Sequence, residues 1–122
     1  MKFLMMIKHD ESLRAEPIPD SLMAAMGEFI ERSMQSGALK DPAGLKETLE
    51  GFRIRLADGK LNVTDGPFTE AKEMIGGYAL FELPSKAEAL EVAREFMEIH
   101  RVHFPSFQGE CEVRPLDGPE QG

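Results

Sequence analysis

The stretch Gly51-Phe52-Arg53-Ile54-Arg55-Leu56-Ala57-Asp58-Gly59-Lys60-Leu61-Asn62-Val63 alternates apolar and polar residues on both sides of a single Asp-Gly pair. Phe52, Ile54 and Leu56 share one face, and Arg53, Arg55 and Ala57 share the other. Leu61 and Val63 resume the alternation after the pair. Period two is the signature of a strand, and Asp58-Gly59 is the chemistry of a two-residue hairpin turn. An antiparallel hairpin therefore lies in the middle of the chain.

Each flank of that hairpin reads as a strand followed or preceded by a helix. On the N-terminal side, residues 2–8 form a short, nearly continuous apolar run, the pattern of a strand covered on both faces. A polar, Pro-containing loop runs from Asp10 to Pro19. Asp20 or Ser21 is positioned to cap a helix whose apolar residues Leu22, Met26, Ile30 and Met34 recur every four, with Phe29 widening the stripe. Gly37 stops it. Residues 38–50, broken by Pro42 and Gly44, read only as a short strand or turn before a polar stretch.

On the C-terminal side a third apolar run covers residues 75–83, opened by Gly76-Gly77 and closed by Pro84. Ser85 and Glu88 form a capping box. The helix behind it carries Leu90, Ala93, Phe96 and Met97 on one side and ends near His100. Residues 110–114 make a last short strand. The order is that of an α+β domain, a βαββαβ split motif with both helices on one face of an antiparallel sheet. Residues 1–116 are expected to form this single domain, and residues 117–122 a polar tail.

Two helices cover one sheet face only, yet the strands at residues 3–7 and 78–83 are apolar in consecutive positions. Leaving the second face wet would expose a large apolar patch, so two copies stacked face to face, a homodimer, are expected.

Composition narrows the function. The 122 residues carry 22 acids against 14 Lys and Arg, a formal charge of −8. Such a surface repels phosphate backbones, and nucleic-acid binding is not expected. No apolar stretch approaches the ~20 residues that span a bilayer. The single cysteine, Cys111, fits a reducing compartment, so the expected location is the cytoplasm. Cys111 alternates with acidic neighbours and is read as buried and inert. Most of the eight methionines fall in periodic apolar positions and are read as core filler. Phosphate-loop, nucleophile-elbow, Cys-x-x-Cys and nucleotide-binding fingerprints are missing, and no cofactor is expected.

The segment Val63-Thr64-Asp65-Gly66-Pro67-Phe68-Thr69-Glu70-Ala71-Lys72-Glu73-Met74-Ile75-Gly76-Gly77-Tyr78 is the most distinctive in the chain. Asp65 can accept backbone N–H groups in a turn, Gly66 permits positive φ, Pro67 fixes the next φ and Phe68 anchors the loop. Turn chemistry accounts for all four. This segment resembles the signature of the DGPF-domain family, within the wider YCII-related group. The resemblance runs over nearly the whole chain and includes Glu70, Lys72, Glu73, Gly76-Gly77 and the closing Glu112-Val113-Arg114. It implies a ferredoxin-like fold pairing into a dimeric α+β barrel, and no established activity. Members are often encoded near, or fused to, alternative sigma factors, which makes a sigma factor a partner by resemblance only. A His–Asp pair in a cleft has been proposed as catalytic in the wider group. The helix at residues 21–36 contains no histidine, so that pair is not carried over.

Read from the residues, the acid–base candidates are His9, at the end of the first strand, and Asp65, at the start of the loop after the hairpin. A carboxylate beside an imidazole would orient it for proton transfer. The alternative is a solvated histidine and a turn aspartate. Arg53, Arg55 and Arg114 are candidates for bidentate binding of a carboxylate or phosphate, or else they pair with the abundant acids. Phe68 and Lys72 complete the ligand-binding candidates. His100 and His103 lie three apart at a helix end, but no third ligand accompanies them, and no metal site is expected. Two functions remain: a small-ligand-binding or regulatory module, or a cofactor-free enzyme using Asp65 with His9 as acid or base.

Overall fold

The computed structural model describes residues 1–10, 12, 16–68 and 73–117. Its elements are β1 (Lys2–His9), α1 (Asp20–Gln35), β2 (Leu39–Gly44), a single 3-10 turn (Thr48–Glu50), β3 (Phe52–Ala57), β4 (Lys60–Asp65), β5 (Met74–Glu82), α2 (Lys86–His103) and β6 (Gly109–Pro115). Four strands form one sheet in the order β2-β5-β1-β6, with every pair antiparallel. With α1 and α2 as the crossovers, this is the ferredoxin-like arrangement.

The βαββαβ order is the expected one, and the segment left open at residues 38–50 supplies its second strand, β2, beside β5. The β3–β4 hairpin is a separate two-stranded sheet inserted between β2 and β5. Residues 38–50 hid their strand for a physical reason. β2 is an edge strand bonded only to β5, so Pro42 loses no bond it needs and a single large apolar residue, Leu39, suffices to anchor it. The hairpin itself forms in the register its alternation dictates, with Ile54 opposite Val63 and Leu56 opposite Leu61. Asp58 and Gly59 both take positive φ, 52° and 73°, as a primed turn requires.

The core lies between the sheet and the helices. Phe3 and Phe81 face each other across β1 and β5 and are each 1% exposed. Around them pack Met5, Leu39 and Leu83 from the sheet side, Phe29 from α1, and Ala89 and Ala93 from α2. The two alanines let α2 approach the sheet closely. Ser85 caps α2 as expected, its Oγ accepting from Glu88 N at 3.2 Å. α1 differs: Pro19 stands at its N-cap without a side-chain hydrogen bond, and Asp20 falls inside the first turn. The buried stripe of α1 runs through Leu22, Met26 and Phe29 at the 3.6-residue period. A strict spacing of four drifts off it, which leaves Met34 52% exposed.

Strand alternation sends the even residues of β1 to the other sheet face. There Leu4 lies opposite Leu80 and Met6 opposite Tyr78, all four half-buried. Ion pairs border this apolar centre: Lys8 with Glu112, Arg114 with Glu112 at 3.3 Å, and Lys40 with Glu82 at 3.5 Å. Among the described residues no helix is long and apolar enough to cross a membrane.

Candidate functional site

A cleft of about 680 Å³ opens between the helices and the inner face of the sheet. That volume lies within the range of small-molecule sites. Its floor comes from β1 and β5 (Met5, Ile7, Ala79) and its wall from α1 (Leu22, Met26, Ile30). At one end stand two histidines, His9 and His100, with Phe96, Phe104 and Phe107 around them. Glu16 and Glu47 are the only charged residues among the described ones that line it, and neither Lys nor Arg does.

Local structure makes room for His9. The β1–β5 register shifts between Ile7 and Lys8, so that Gly76 is the unpaired extra residue of a bulge. A side chain at Gly76 would overlap the His9 imidazole, and one at Gly109 would come within 2.6 Å of the Phe107 ring. These glycines let the His9 and Phe107 rings lie against the backbone, 6.2 Å apart and edge to face. His9 Nδ1 is 2.9 Å from the Asp10 carbonyl oxygen. A carbonyl only accepts, so Nδ1 carries the proton of this contact.

His100 reaches the cleft from the helix. It occupies the inward stripe of α2 one turn beyond Phe96 and is 7% exposed. Its Nδ1 donates to the Phe96 carbonyl at 2.9 Å, and its ring packs on Phe96 and Phe107 with centroids at 4.6 and 4.8 Å. Burial pushes its pKa below the ordinary imidazole value, against the opposing effect of the Phe96 carbonyl, and the nearby His9 lowers it further. No buried side-chain nitrogen or oxygen among the described residues lacks a partner, which leaves the unbonded Nε2 of His100 open to the cleft. The end of the cleft thus holds two imidazoles in an aromatic setting, with the Nε2 of His100 as a proton acceptor. Helix-end spacing drew attention to His100 as half of a metal pair. The signal that locates it in the cleft is its place on the apolar stripe after Ala89, Ala93 and Phe96.

The other candidates lie elsewhere. Asp65 is exposed at the end of β4, opposite Phe52, and among the described residues no hydrogen bond or ion pair joins it to His9. Gly66 does not use positive φ; its N donates to the Gly51 carbonyl at 2.9 Å, and a side chain there would collide with the Thr48 carbonyl. Phe68 is buried, its N donating to Thr48 Oγ1 at 3.2 Å, and the Arg53 guanidinium lies over its ring at 3.8 Å. Arg55 is exposed on the hairpin, and Arg114 pairs with Glu112 on the outer sheet face. Lys72 and Glu70 lie outside the described residues, as does most of the polar tail. Among the described residues no three potential ligands cluster to hold a metal. Cys111 is half-buried, and burial pushes its thiol up to about 11, which keeps it protonated and unreactive at neutral pH.

Fold and cleft define the class, a ferredoxin-like α+β domain with an apolar chamber under its helices. The model of the YCII-related domain matches residues 1–100, and the chain belongs to that family. It is also similar to an uncharacterized protein of Rhizobium meliloti (strain 1021), with 32% identity over 123 residues that cover 95% of this chain and 92% of that protein.

Proposed function

We propose that this protein is a small-ligand-binding module that works as a homodimer in the cytoplasm, with its site in the cleft between helices and sheet. The observation that carries the reading is the cleft itself: about 680 Å³, walled by aliphatic and aromatic side chains, with two histidines gathered at one end. Pairing through the outer sheet face is supported by its apolar centre and by the border of both charge signs, which a twofold axis turns into self-complementary contacts. A link to a sigma factor rests on the family resemblance described above.

Adjacent residues of β5 test the site. Ala79 faces the cleft and Leu80 the outer face. Nile red, a neutral apolar dye, should saturate one site per chain by fluorescence titration. Ala79→Phe should weaken it at least tenfold, and Leu80→Glu should leave it unchanged. The reverse pattern, or no saturable site, sinks the proposal.

A cofactor-free enzyme is the second reading, and one observation favours it. Beside His9, His100 presents an unprotonated Nε2 at the cleft, the state in which imidazole accepts a proton from substrate. In this reading the Asp10 carbonyl orients His9, and Asp65, exposed at the hairpin foot and outside the cleft lining, does not reach the substrate.

A further inference from the structure

Resting on the cleft as the binding site, we infer that its ligand is a neutral hydroxyaromatic molecule, an apolar ring system that places a hydroxyl donor on the His100 end of the chamber.

Among the described residues that line the cleft, none would hold an anion. No Lys or Arg is among the described lining residues, and the two charged ones, Glu16 and Glu47, are carboxylates that repel negative charge. Both histidine Nδ1–H groups are already spent on the Asp10 and Phe96 carbonyls, so neither imidazole has a donor left in its neutral form. Protonating His100 to make one is opposed by its burial and by His9. A ligand carboxylate or phosphate entering this end would meet the lone pair of His100.

What the walls offer is the opposite. The unprotonated Nε2 of His100 wants a donor, and an O–H group supplies one. Phe96, Phe104 and Phe107 surround the imidazoles in tilted contacts, with Phe104 and Phe107 centroids 5.9 Å apart. Faces and edges at such angles receive another aromatic ring well. A simple hydrocarbon would fill the chamber but leave the His100 acceptor without a partner and strip it of water. An aromatic hydroxyl satisfies that acceptor and fills the space at once.

Three probes of one shape separate the possibilities: naphthalene, 2-naphthol and 2-naphthoate, titrated into the full-length protein by equilibrium dialysis. The expected order is 2-naphthol about tenfold tighter than naphthalene, the value of one sheltered hydrogen bond, with 2-naphthoate weaker than both. His100→Phe should erase the preference for the hydroxyl while keeping naphthalene affinity, and His100→Gln, which retains an acceptor, should restore part of it. Independently of any variant, the ¹⁵N resonance of His100 Nε2 should move upfield with 2-naphthol and stay fixed with naphthalene. Equal binding of naphthalene and 2-naphthol overturns this inference but leaves the cleft as a site. Tightest binding by 2-naphthoate overturns it too. Binding of none of the three overturns both it and the site.

Discussion

A methyl group added at Gly66 would overlap the Thr48 carbonyl, whereas one added at Gly76 would overlap the tip of the His9 side chain. The first obstacle is backbone in a 3-10 turn and the second is an imidazole that can rotate away. Gly66→Ala should therefore cost about 3 kcal/mol or more in chemical denaturation, and Gly76→Ala under about 1 kcal/mol. Gly76→Ala should instead empty the His9 position and weaken cleft binding, and adding His9→Ala should produce no further loss. His100 makes stability depend on pH. Its pKa in the folded protein lies below the 6.5 of a free imidazole, so the unfolded chain takes up the proton first as pH falls. The burial of a neutral His100 contributes fully above about pH 6.5 and is lost as pH drops toward its folded pKa. Thermal melts of the wild type should fall between pH 7 and 5.5, and His100→Phe should fall less over the same interval.

At the scale of elements, the hairpin carries the sharpest contrast. Phe52, Ile54, Leu56, Leu61 and Val63 are 57–69% exposed, and Gly66 N bonds back to the Gly51 carbonyl at its foot. Replacing residues 52–65 with Asp-Gly makes Gly51 and Gly66 the ends of a β-turn whose hydrogen bond already exists. The shortened protein should stay folded, with Tm lowered by no more than about 5 °C. Aggregation or loss of the cooperative melt would show that the hairpin is part of the core. The alternation of residues 52–63 made these strands legible because period two is a local property. It carried no information on what the strands pack against, and so the hairpin's departure from the main sheet was not legible. β2 was obscured by the opposite effect, an edge strand whose Pro42 and Gly44 conceal it. The cleft was unreadable for a third reason: His9, Phe29, Gly76 and His100 are scattered over the sequence, and only the sheet register and the bulge bring their elements together.

For the whole molecule, the two sheet faces divide the work. The inner one forms core and cleft, and the outer one presents Leu4, Met6, Tyr78 and Leu80. Light scattering of the wild type at micromolar concentration should give twice the mass of one chain, and Leu80→Glu should reduce it to one, because a buried unpaired carboxylate is costly. A single-chain mass for the wild type would refute the pairing. The neck formed by Gly51 and Gly66 bears on how this protein can vary between species. Every rung added to or taken from a hairpin brings one residue from each strand, so relatives should differ in length at this place by even numbers of residues. The four-stranded sheet, closed off below that neck, would register none of those changes, which makes the tip at Asp58-Gly59 the natural point for splicing in a foreign peptide.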